Sequence, residues 1–187
     1  YTQRISLSST GFYKTPDLQW DRIKGKGRPF YYFAYGAAVS EVVVDTLTGE
    51  FKLLRSDILH DAGHSLNSAI DIGQIEGGFI QGVGWLTTEE LVWDERGELK
   101  THAPSTYKIP CASDRPKIFN VSLFDNLNVE NTIYKSKAVG EPPFMLGISV
   151  FLALRNAVSA CGNEWPTLNA PATPENILRA VRRVNGT

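Results

Sequence analysis

Two hydrophobic periods share this chain, and where each holds predicts its elements. Residues 31–44 are aromatic and β-branched, a composition that suits a strand. Residues 50–59 alternate between apolar and polar side chains as a return strand would. Between them Asp45-Thr-Leu-Thr-Gly49 reads as a turn with glycine at a left-handed position. The three together predict a long β-hairpin. The period then changes. Ile72, Ile75, Phe79 and Val83 form one stripe at helical spacing, predicting a helix over residues 70–86 that Asn67 can cap. Leu146, Val150, Leu154 and Val158 repeat that spacing, predicting a second helix over 143–160 that Gly162 suits as a stop. Thr173 is placed to cap a short helix over 174–184.

Weaker patterns fill the intervals. Residues 1–10 alternate faintly, as an edge strand would, and residues 11–29 are rich in glycine, proline and lysine and read as a loop. Residues 87–93 have strand character, 95–98 read as a turn and 101–110 as a loop. Residues 116–123 alternate as a strand, and the polar stretch 125–131 turns the chain back. There is no internal repeat and no low-complexity linker. The expected class is α+β: a β-hairpin and mixed strands packed with a Gly-rich helix and a C-terminal helix.

Composition narrows the function classes. A chain of 187 residues fits one domain or one large subdomain. Hydrophobic residues at 42% and charged residues at 21% describe an ordinary soluble protein. A net charge of −1 removes any electrostatic case for nucleic acid or an anionic membrane as partner. The longest apolar runs, near 30–39 and 144–154, fall well short of a membrane span. No signal peptide is visible, and Tyr1 in first position suggests that the native start lies upstream. Cys111 and Cys161 are too few for a disulfide framework or a metal cluster, and two thiols point to a reducing compartment, so a cytoplasmic location is expected.

Five clusters are weighed for candidate chemistry. Glu141 lies in Lys137-Ala-Val-Gly-Glu-Pro-Pro143, between a glycine and two prolines that open the second predicted helix. A residue before proline is pushed out of the α region, so an extended Glu141 is expected on a stiff support. The positive end of the helix favours a carboxylate there, with Lys137 as a second cation. Such a group suits a general base, although a plain surface glutamate fits the same local pattern. The 70–86 helix carries Gly73, Gly77, Gly78, Gly82 and Gly84, each costing about 1 kcal/mol against alanine in a helix interior. Gln74 and Gln81 flank Gly77 and Gly78 on roughly one face. That face either receives a flat ligand with donor and acceptor edges or packs tightly on another backbone. His60-Asp-Ala-Gly-His64 spaces two histidines like a metal motif but has no third ligand in view, so no metal site is assigned. Lys24-Gly-Lys-Gly-Arg28 is basic and glycine-bearing, but it lacks Walker spacing and reads as a solvated loop. The basic side of the last helix (Arg179, Arg182, Arg183) reads as a solvated face or subunit contact.

Lys137-Ala-Val-Gly-Glu-Pro-Pro143 resembles the segment that carries the catalytic glutamate in the molybdenum hydroxylases, the xanthine dehydrogenase/oxidase family and its bacterial forms above all. Further stretches resemble the same region in the same order. They are Gly11-Phe-Tyr-Lys-Thr-Pro16, Leu66-Asn-Ser-Ala-Ile-Asp-Ile-Gly-Gln-Ile-Glu-Gly77, Gln81-Gly-Val-Gly84, Pro104-Ser-Thr-Tyr-Lys-Ile-Pro110 and Ala170-Pro-Ala-Thr-Pro-Glu175. The resemblance spans nearly the whole chain. It implies that residues 1–187 are the C-terminal segment of a molybdenum-cofactor-binding domain, incomplete relative to the family. It implies Glu141 as the general base of a water-derived hydroxylation, xanthine or hypoxanthine to urate in purine catabolism. It implies Gln74 as a molybdopterin contact, and says less of Gln81. The 2Fe-2S clusters and FAD would belong to other domains or subunits, since neither a cluster cysteine spacing nor a dinucleotide fingerprint occurs here. The partners implied are a purine, the rest of the molybdenum domain, and the Fe-S/FAD domain or subunit of an oligomeric enzyme. The substrate-clamping residues would lie upstream, so the chain alone is expected to be inactive. An aldehyde oxidase or other azaheterocycle hydroxylase, or a non-catalytic interaction fragment, remains an alternative.

Overall fold

The computed structural model describes residues 4–186. The backbone separates into two compact units, Tyr1–Phe33 and Ala34–Thr187. In the first, residues 4–10 form no strand, and the first three positions of the expected edge strand lie outside the described residues. The region expected to be all loop instead contains a small antiparallel hairpin, β1 (Gln19–Asp21) and β2 (Lys26–Arg28). Asp21 turns the chain by accepting the Ile23 and Lys24 N–H groups at 3.0 Å each. A three-residue strand is too short to register as alternation, which is why the composition read as loop. The basic Lys24–Arg28 stretch forms its turn and second strand and is exposed.

The second unit is built on a three-stranded sheet in the order β3-β4-β5. β3 (Gly36–Val44) and β4 (Phe51–His60) are the predicted hairpin. Its turn is closed by Gly49 N–H to Asp45 O at 2.8 Å, with Gly49 at φ 77. The register shifts between Glu41 and Val42, which leaves Leu54 as an extra residue on β4. β5 (Ile118–Leu123), also predicted, joins β4 in parallel. The sheet covers its inner face with helices. Its outer face carries exposed Val39, Val43, Leu59 and Ile118, and β3 is an edge strand.

α1 (Ser68–Thr87) lies where the stripe placed it, and Asn67 Oδ1 accepts the Ile70 N–H. Ile75 and Phe79 are fully buried. The expected strand at 87–93 does not form. Residues 88–99 make only an isolated bridge between Trp93 and Leu99 around the predicted turn. Among the described residues no neighbouring strand lies alongside to complete a ladder, so β propensity is not enough. The predicted 143–160 helix is in fact two pieces, a 3-10 turn at Pro142–Gly147 and then α2 (Ile148–Ser159). Val150, Leu154 and Val158 are fully buried, each worth about 1.5–3 kcal/mol, so packing rather than helix geometry fixes this segment. By length and composition Pro142–Ser159 would pass for a membrane span, yet its apolar stripe is committed to the protein core. Gly162 is not the stop of α2, which ends at Ser159 with Ala160 as its C-cap. It lies where a Cβ would come within 2.0 Å of Val184 O. α3 (Pro174–Asn185) is capped by Thr173, which accepts the Asn176 N–H, and closes the core with Ile177 and Val181.

The glycines of α1 divide into two sets. Gly82 lets the 3-10 turn reach the helix axis: a Cβ there would sit 2.1 Å from Phe144 O. Gly147 answers it from the other side, 2.6 Å from the Gly82 carbonyl carbon by the same measure. Gly78 makes the same kind of approach to Gly140 O at 3.1 Å. Gly73 and Gly77 face open space, with nothing within 4 Å of a Cβ. Substituting alanine should separate the sets. Gly82→Ala should cost about 3 kcal/mol, the upper end for overpacking. Gly77→Ala should be neutral or stabilising by up to about 1 kcal/mol, the gain in helix propensity. Urea unfolding of the two variants beside the parent chain reads both.

Candidate active site

The strand-like run into Glu141 begins at a tight turn. Tyr134 and Lys135 take left-handed angles (φ 51 and 61), and buried Asn128 binds the turn together. Its amide donates to Thr132 Oγ1 at 3.2 Å and to Ser136 O at 3.3 Å. From there the chain runs beside the end of β4. Ser136 forms an antiparallel bridge with Gly63, and the Lys137 N–H donates to Ala62 O at 2.8 Å. Val139 enters the core, and Gly140 and Glu141 emerge at the surface.

Glu141 is not extended. Its angles are φ −94 and ψ −33, in the α region, and it occupies the N-cap position of the 3-10 turn. Proline disfavours that region for its predecessor, but tertiary contacts override the preference. The Glu141 carbonyl accepts the Phe144 N–H at 2.9 Å, and the turn is seated on Gly78 and Gly82. The Glu141 side chain makes no capping hydrogen bond of its own and is exposed. Gln74 lies alongside: its Oε1 would be 3.7 Å from a Cβ on Gly140. The structure therefore brings together Gln74 and the Gly140–Glu141 corner, beside the bare Gly73 and Gly77. Gln81 is exposed further along α1, about 10 Å up the axis for its seven residues. Gly78 does not belong to that open face, because it is occupied by the turn. Trp85, one helical turn past Gln81, stacks on Phe144 with ring centroids 5.4 Å apart.

Lys137 is not the second cation for Glu141. Its ammonium donates to Asp61 Oδ2 at 2.6 Å, with the two side chains only 5% and 3% exposed. Asp61 also accepts the Gly63 N–H at 2.8 Å and the Asn126 amide at 3.2 Å. Lys137 lies 5.3 Å from the Tyr35 ring centroid. Burial alone would raise the Asp61 carboxyl, but the Lys137, Gly63 and Asn126 hydrogen bonds outweigh it and hold it below the usual carboxylate value. Sequence reasoning missed this pair: the partners are 76 positions apart, and no local spacing links them. The two histidines of the His60–His64 motif part company. His60 is fully buried at the end of β4 and His64 is exposed. Both ring nitrogens of His60 lack a hydrogen-bond partner among the described residues.

The family model for the molybdopterin cofactor-binding domain matches residues 1–116. A xanthine dehydrogenase from Oryza sativa subsp. japonica is 52% identical over 96% of this chain and 14% of its own length. Among solved structures, CO dehydrogenase from Oligotropha carboxidovorans superposes with a TM-score of 0.72 at 22% identity, over 81% of this chain and 18% of that one. An aldehyde oxidoreductase from Desulfovibrio gigas gives 0.70 at 25% identity, over 87% and 17%. The chain therefore belongs to the xanthine dehydrogenase family of molybdenum hydroxylases. It spans about a seventh of the length of the curated relatives it matches.

The residues present fit one edge of a molybdopterin. Gly73 and Gly77 leave open space where a side chain would stand, and the Gln74 amide beside them can donate and accept. Among the described residues no three His, Cys, Asp or Glu side chains gather as metal ligands.

His60 generates a pH prediction. Burial holds its imidazole below the ordinary value of 6.5; Asp61 opposes this and Lys137 reinforces it. The unfolded chain then binds the proton more readily than the folded one. Stability is unaffected above about pH 6.5 and falls as pH drops from there towards the folded value. Asp61 acts in a separate window, below its ordinary 3.8. Denaturant midpoints measured from pH 7.5 to 5 should decline for the parent chain, and the decline should shrink in His60→Leu.

Proposed function

We propose that this chain forms part of the active centre of a molybdenum hydroxylase that oxidises xanthine or hypoxanthine, with Glu141 as the general base and Gln74 as a cofactor contact. The observation that carries the reading is the juxtaposition of Gln74 with the Gly140–Glu141 corner beside the open face of α1. A carboxylate that is exposed, uncommitted to capping and fixed on a two-proline turn suits proton abstraction from an oxygen nucleophile. One Glu141 Oε takes the O–H proton as the water-derived oxygen forms its bond to the purine carbon. The C–H bond of that carbon breaks with the hydrogen leaving as a hydride equivalent, the electron pair being what the redox group would accept. The 3-10 turn keeps the Glu141 oxygen in place through the step. Gln74 orients the pterin edge by an amide that can face either a donor or an acceptor. The bound molybdopterin–molybdenum group supplies the two-electron redox chemistry.

The purine assignment rests on similarity: 52% identity to a xanthine dehydrogenase against 25% to an aldehyde oxidoreductase. On this reading residues 1–187 are the C-terminal segment of the molybdenum-binding domain. The rest of that domain, the 2Fe-2S clusters and FAD complete a cytoplasmic, oligomeric enzyme. The chain alone then holds no complete cofactor site and is inactive.

In the complete enzyme, Glu141→Gln should lower xanthine turnover at least about 100-fold, within the range of acid–base catalysis, and leave molybdenum content unchanged. Residual activity above a hundredth would remove Glu141 from the role. Gln74→Ala should instead reduce molybdenum and pterin content per protomer, by metal analysis and cofactor fluorescence. Normal content in that variant would make Gln74 a mere packing neighbour.

A further inference from the structure

The Asp61–Lys137 pair has no part in the chemistry above, yet it is the most deeply buried charge in the segment that leads to Glu141. Its side chains are 3% and 5% exposed, and Asp61 receives hydrogen bonds from three directions: Lys137, Gly63 and Asn126. Taking two charges out of water is costly, and a well-packed apolar pair of similar volume would hold the fold as well or better. What a directional, hydrogen-bonded pair can add is a preference for one register. Lys137 is tied to Asp61 through its side chain and to Ala62 through its backbone. Only three residues separate it from Glu141, and these have little slack: Val139 is core and Gly140 O lies against Gly78. The end of β4 therefore holds the segment on the upstream side of Glu141, while the 3-10 turn seated on Gly78 and Gly82 holds it downstream.

We propose that Asp61 and Lys137 are positioning residues for Glu141, setting the place of its carboxylate through the short backbone link rather than by touching substrate or cofactor. This rests on the reading of Glu141 as the base. Because a misplacement of about 1 Å can cost on the order of 100-fold in rate, a small loosening at Lys137 is enough to show in kcat.

The test is a double-mutant cycle in the complete enzyme. Lys137→Met should lower kcat for xanthine about 10- to 100-fold, with KM within about threefold and molybdenum content unchanged. Lys137→Arg, which keeps the pair, should recover most of that loss. In a Glu141→Gln background, Lys137→Met should change the residual rate by less than about threefold, because its effect passes through Glu141. Amide hydrogen exchange over residues 136–144 should quicken in Lys137→Met. Equal losses in both backgrounds, or a normal kcat, overturn the proposal. So does unchanged exchange. If Lys137→Met fails to fold, Asp61→Asn/Lys137→Met leaves no unpaired buried charge and decides. A folded, molybdenum-loaded double variant with reduced kcat supports the proposal, and one with full activity, or one that still fails to fold, overturns it. An active Glu141→Gln enzyme sinks the base assignment itself, whereas an inactive one beside a fully active Lys137→Met sinks only the positioning role.

Discussion

The contact on which this structure turns is backbone against backbone. Gly82 of α1 and Gly147 of the 3-10 turn have no side chains to separate them, and Phe144 O reaches into the space a methyl group would take. That approach sets how deeply the Pro142–Gly147 turn sits on the helix. It thereby places Glu141 at the rim of α1 and starts α2 in the direction that buries Val150, Leu154 and Val158. Helix propensity is sacrificed along α1 to allow it. The sacrifice is stabilising where another backbone fills the gap and has no packing return at Gly73 and Gly77, where the gap stays open.

The two ends of the Glu141 segment are held by different physics. Downstream, the hold is steric, through close-packed glycines and two prolines that restrict the turn. Upstream it is electrostatic and directional: a buried ion pair whose carboxylate is also bound by a backbone N–H and an amide. Steric packing limits how near the segment comes; the hydrogen-bonded pair limits how it slides. The carboxylate between them is left free of capping duty and open to whatever approaches the α1 face.

Much of this was legible in the residues. The hairpin, β5, α1 and α3, with the Asn67 and Thr173 caps, follow from alternation, helical stripes and cap chemistry. Both Glu141 and Gln74 were singled out by local pattern and given roles by resemblance to a family, but nothing in the sequence placed Gln74 beside the Gly140–Glu141 corner. What the residues concealed was set by tertiary contact. Glu141 takes the α region against its proline neighbour because Gly78 and Gly82 seat the turn. Lys137 serves Asp61 rather than Glu141 because the end of β4 runs beside it, a fact separated in sequence by 76 positions. The β-rich stretch after α1 had no partner strand and stayed irregular. The glycines of α1 looked alike in sequence and proved to have two uses, since only the neighbour's backbone tells a contact from a vacancy.

The outer side of the sheet has its own consequence. Among the described residues β3 presents one hydrogen-bonding rim without a neighbouring strand, and Val39, Val43, Leu59 and Ile118 lie bare on the adjoining surface. A rim of that kind is a template for foreign strands. The bulge opposite Glu41 and the carboxylate of Glu41 itself blunt it only midway. Left uncovered, such a rim favours pairing with a second strand, so rising concentration would promote self-association before it promoted unfolding.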